Sequence, residues 1–213
     1  MKEEIHKSQG FSIFFLKKER EQQLKASSFN FLGRDAARVY NFETPSANSK
    51  SNPKPNLGII SLNGYFKQSD FDYFFTQMKI DTSSPSPPKI NIAFVNNAQF
   101  DFNSSYYGIV ENYLDIEIVT SILSPAQANV TFYIAPNSYQ SLYDAMTLAL
   151  QQNDVVTLSW SGNETDASAY WQSFQALLVR YKHVPFFVAS GDYGDNQPFG
   201  VLFPASCPNA ICK

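Results

Sequence analysis

Histidine is nearly missing from this sequence: there are two in 213 residues, His6 and His183. His6 lies in a charged, amide-rich stretch, and His183 precedes an apolar run, at the wrong end of it for a site. A Ser-His-Asp triad is therefore not expected here. Cysteine is just as scarce, with Cys207 and Cys212 alone. Their spacing is no CxxC half-site and no histidine or second pair accompanies them, which argues against zinc. The spacing leaves open whether they pair with each other, pair outside the chain or stay reduced. An excess of basic charge is missing as well: 16 Lys and Arg against 19 Asp and Glu give a net charge of −3, so no nucleic-acid surface is expected. No apolar run reaches the roughly 20 residues of a membrane span. The run FSIFFL (11–16) is shorter than a signal-peptide core and no small-residue cleavage site follows it, so no targeting segment is read. Three familiar signatures are also absent: GxGxxG after the first strand, the phosphate loop GxxxxGK(S/T), and the GxSxG nucleophile elbow.

What is present is a chain 44% hydrophobic with 19 Phe and 12 Tyr, enough for a proper packed core. Residues 1–33 read as a helical or disordered tail, and 43–56 as a Pro/Ser/Asn-rich linker. Strands are expected at 57–62, 90–95, 130–135, 154–160 and 184–190. Helices are expected at 69–79, opened by Ser69 as N-cap, and at 105–123, 138–153 and 164–182. Alternation of near-continuous apolar strands with helices predicts an α/β fold, a parallel sheet covered on both faces. Chemistry in such sheets collects beyond the carboxyl ends of the strands. Three sequons, at Asn103, Asn129 and Asn163, matter only on a secretory route.

Three short stretches at or near those ends carry polar groups. In ENYLDIE (111–117), Glu111 and Asp115 stand one helical turn apart, where like charges cost a few tenths of a kcal/mol, roughly 0.2–0.5. Taken alone, the stretch reads as a solvated helix face. LSWSGNE (158–164) reads as a core Trp at a strand end, or as an extended edge that pairs with a peptide. FVASGDYG (187–194) reads as a plain Gly/Asp turn, or as an Asp held at a site mouth, where a protonated carboxyl could donate to an oxyanion.

Together with FPASCP (203–208) and the opening segment GRDAARVYNF (33–42), these stretches resemble, in order and separation, the sedolisin family, serine-carboxyl peptidases of subtilisin-like fold. The resemblance covers about residue 34 to Pro208 and implies a partial peptidase domain over 34–213, with the sheet ending after about five strands. It implies Glu111 as general base, Asp115 as its proton-sharing partner and Asp192 as the oxyanion donor. It implies Ser159, Trp160 and Gly162 as the substrate-side segment, with an extra Ser161 where SWG is usual. It implies a serine-type endopeptidase working at acidic pH, with a peptide or protein as substrate and an extracellular or lysosomal setting. Two departures stand out. Ser61 occupies the place of a glutamate behind the pair. The GTSxxxP nucleophile segment and the family's calcium site, which lie beyond FPASCP, are not found, so no cofactor is expected here. None of Ser61, Ser159, Ser161 and Ser190 sits in a nucleophile motif. The expectation is a domain inactive as this chain alone, completed by a complementary C-terminal chain, with a non-enzymatic peptide-binding or interaction module as the alternative. No nucleic-acid or membrane partner is expected.

Overall fold

The computed structural model describes residues 33–42, 54–77, 90–103, 106–122, 128–192, 194 and 200–212. His6, the tail 1–32, the linker residues 43–53 and the Pro/Ser-rich break 83–89 lie outside the described residues.

The apolar runs become the strands β1 (Asn56–Leu62), β2 (Asn91–Phe94), β3 (Asn129–Ala135), β4 (Val155–Leu158) and β6 (Phe186–Val188). A short β8 (Ile211–Cys212) adds a sixth strand that the sequence did not announce, and every pairing is parallel, in the order β2-β3-β1-β4-β6-β8. Two residues each of β5 (Gly162–Asn163) and β7 (Leu202–Phe203) form a separate antiparallel arm. The helices are α1 (Gly33–Val39), α2 (Gln68–Gln77), α3 (Tyr106–Ile122), α4 (Tyr139–Gln152) and α5 (Trp171–Arg180).

Strand alternation sorts β1 between two cores. Ile60 and Leu62 join one core with Leu142, Met146 and Phe174 of α4 and α5, and Ile59 joins the other with Phe71 of α2 and Tyr113 and Ile116 of α3. The sheet is thus covered on both faces, α2 and α3 on one and α4 and α5 on the other. This distribution fixes the hand of the crossovers. The connections through α4 and α5 run in one direction along the sheet, over one face. The connection through α2 reverses both direction and face, so it has the same hand. The connection from β2 to β3 through α3 reverses the face alone and has the opposite hand. Right-handed crossovers are the rule in about 98% of cases, so the α3 crossover is the uncommon one.

Two expectations at helix starts are corrected. The helix expected over 164–182 begins only at Trp171. Asn163 takes the preceding residues into turns instead: its Oδ1 accepts from the Thr165 N–H at 2.8 Å and its carbonyl from the Ala167 N–H at 3.1 Å. Ser69 lies inside α2, which starts at Gln68, and its hydroxyl donates to Asp70 Oδ1 at 3.4 Å rather than capping the helix from outside. At the start of α1, Gly33 lies against α3. Its N–H donates to Ser121 Oγ at 3.0 Å, and a Cβ there would come within 2.3 Å of that oxygen, an approach that glycine alone permits.

Candidate functional site

β1 connects to its left and β4 to its right, so a crevice opens between their carboxyl ends, the usual place for a site in such a sheet. β1 brings Ser61, Asn63 and Gly64 to it, and β4 brings Ser159. Helix α3 bonds to both strand ends, through Asn112 to Ser61 of β1 and through Asp115 to Ser159 just after β4.

Helix α3 is fixed there through Asn112. The Ser61 hydroxyl donates to Asn112 Oδ1, and Asn112 Nδ2 donates to the carbonyls of Asn63 and Tyr65 at 3.5 and 3.4 Å. Asn112 and Ser61 are completely buried. Gly64, at φ +87°, turns the chain where a Cβ would meet Asn112 Nδ2 at 2.6 Å. Ser61 therefore anchors the helix rather than standing idle behind the pair.

Glu111 and Asp115 are not the outward-facing pair of a solvated helix surface. Glu111 is only 6% exposed and Asp115 is half-buried. Oε2 of Glu111 and Oδ2 of Asp115 are both shut off from solvent. The other oxygen of Asp115 accepts a hydrogen bond from Ser159 Oγ at 2.7 Å, across 44 residues of sequence. Helix spacing puts the two carboxyls on one side of α3, and the hydroxyl of β4 fixes that side against the sheet. Two residues beyond Asp115, on the opposite side of the helix, Glu117 is half-buried as well, and burial pushes its carboxyl from 4.5 up to about 7.

The substrate-side residues are mostly interior. Ser159 is 6% exposed, and Trp160 is 5% exposed and packs in the core of α4 and α5. Gly162 pairs with Phe203 in the β5–β7 arm, and a Cβ on it would fall 2.3 Å from the Tyr139 hydroxyl oxygen. Ser161 is 1% exposed. Asp192 stands apart from these, exposed on the loop after β6, the strand next to β4. His183 is exposed in the turn before β6, on the opposite edge of the sheet.

Beside the Asp192 loop lies an open cleft of about 440 Å³, lined by Ser190, Gly194, Gly200, Leu202, Ser206 and Cys212 among others. Cys212 and Cys207 are both free thiols. Cys212 is exposed and its thiol donates to the Ala205 carbonyl at 2.9 Å. Cys207 is buried, and burial together with the nearby Glu164 pushes its thiol up to about 12. No group of three or more His, Cys, Asp or Glu able to hold a metal occurs among the described residues.

Sequence reasoning missed Asn112, whose only signal was a carboxamide next to Glu111 in a helix rich in apolar residues. It also missed Ser206 and Cys212, which lie on a segment without periodicity. No protein-family model matches the chain, and no curated protein matches it.

Proposed function

We propose that this chain carries the acid–base side of a serine-carboxyl peptidase site, on a subtilisin-like sheet, with Glu111 as general base and Asp115 as its partner. The observation that carries the reading is the buried Glu111 and half-buried Asp115 on α3, tied through Asp115 to Ser159 at the carboxyl end of β4. Burial raises a carboxylate's affinity for its proton toward what a general base needs, and Glu111 is buried with Oε2 shut off from solvent. Two charged carboxylates side by side in a dry setting repel, so the pair keeps one proton between them, and acidic solution suits it. Asp192, on the neighbouring loop, is the donor to a developing oxyanion when protonated.

The same geometry argues against cleavage by these 213 residues alone. Ser159 is the serine seen to bond with the pair, yet it is buried and its hydroxyl is engaged with Asp115. A nucleophile has to face the substrate. The chain is expected to bind peptide without cutting it, and to need a serine from a complementary chain for turnover. The cleft near Asp192 favours a second reading, a module that holds peptide and does no chemistry.

The experiment uses a quenched-fluorescent peptide library between about pH 3 and 8, alongside binding of labelled, uncleavable peptides. Binding without turnover is expected. Turnover that disappears in Glu111→Ala would overturn the inactivity, and failure of any peptide to bind would overturn both readings. Binding whose pH dependence survives in Glu111→Gln would leave only the second.

A further inference from the structure

A second cleft, of about 560 Å³, opens just past β5 and is lined by Glu164, Ser168, Ala169, Trp171 and Gln172. We propose that it receives the guanidinium group of an arginine side chain in a bound peptide. The inference rests on the peptide-binding reading above and names what such a peptide carries.

The chemistry of the lining decides the ligand. Glu164 is half-buried, and its backbone is fixed by a hydrogen bond from its N–H to the Val201 carbonyl at 3.0 Å. Its carboxylate has no ion pair or hydrogen bond among the described residues, and its electrostatic neighbour is the neutral Cys207 thiol. A half-buried carboxylate without a cation lacks the partner that offsets its lost hydration. Trp171 adds an indole, the ring that attracts cations best. The Ser168 hydroxyl and the Gln172 carboxamide add acceptor oxygens. A planar guanidinium can stack on the indole and fork onto the carboxylate together, which an ammonium cannot do. Glu164 directly follows Asn163 of the β5–β7 arm, so the cleft adjoins the substrate-side segment named above.

A competing account is structural. The same residues flank the start of α5, which has no side-chain cap, and a carboxylate there favours a helix N-terminus. The test separates the two. Labelled hexapeptides of alanine carry one arginine at each position in turn, and a matched set carries citrulline, its uncharged isostere. At one position the arginine peptide should bind about tenfold tighter than the citrulline peptide. Glu164→Gln should erase that difference, and Trp171→Leu should reduce it, with both variants confirmed folded by circular dichroism. Equal binding of the two sets by the native chain overturns the inference while peptide binding stands. A Glu164→Gln variant that melts earlier yet keeps the arginine preference overturns it in favour of the helix-cap account. Acetyl-arginine methylamide that binds as tightly as the best peptide would show a free-cation site and overturn the peptide assignment. No binding by any peptide removes the underlying reading as well.

Discussion

Glu111 and Asn112 are neighbours on α3 that turn to different partners. Asn112 reaches down to Ser61 and the end of β1, while Glu111 is buried one turn before Asp115, which accepts from Ser159 just after β4. The sequence showed that Glu111 and Asp115 share a side, because the spacing sets that. It did not show that the side is buried. Ile109, Val110, Leu114, Ile116, Ile118 and Val119 run all the way round the helix, so no apolar stripe marks which face meets the sheet. Residue environment also separates the two cysteines. Thiolate, not thiol, reacts with electrophiles, and burial holds Cys207 in the thiol form. A maleimide at pH 7.5 should label Cys212 within minutes and Cys207 only after denaturation; two labels on the native chain would contradict the packing.

At the scale of elements, the loops hold the least legible parts. Each strand that carries the sheet centre was visible as an apolar run, but β8 and the β5–β7 arm are two residues long and carry no period. The late start of α5 was hidden for a physical reason. Residues 164–170 have acceptable helix propensity, and the tertiary hydrogen bonds around Asn163 override it. Gly162 shows how tightly that arm is fitted. Its neighbour Tyr139 is 2% exposed and cannot move away freely. Gly162→Ala should therefore cost about 1–3 kcal/mol by overpacking. Denaturant unfolding measures this, and a change under about 0.5 kcal/mol, the ordinary range for an open surface position, would contradict the close packing.

For the whole molecule, the alternation of strands and helices made the parallel sheet legible, while strand order and crossover hand stayed beyond reach. Both depend on which faces meet after collapse, and no local pattern encodes that. Stability should follow pH through buried acids. Glu117 keeps its proton in the folded chain up to about pH 7, whereas the unfolded chain releases it near 4.5. The unfolded state then binds fewer protons, so stability falls as pH rises across that window. Urea midpoints should drop from pH 4.5 to pH 7, and Glu117→Gln should flatten the slope. A midpoint that rises over this range in the native chain but not in the variant would reverse the sign.

Glu111 and Asp115 are proposed to be a single proton-sharing unit. Carbon-13 NMR of the side-chain carboxyls, assigned with Glu111→Gln and Asp115→Asn, tests this most directly. The account predicts that both carbons respond in each of two separated steps, and that removing either acid collapses the remaining one to a single step. Two independent titrations in the ordinary carboxylate range, each unaffected by loss of the other acid, would contradict it.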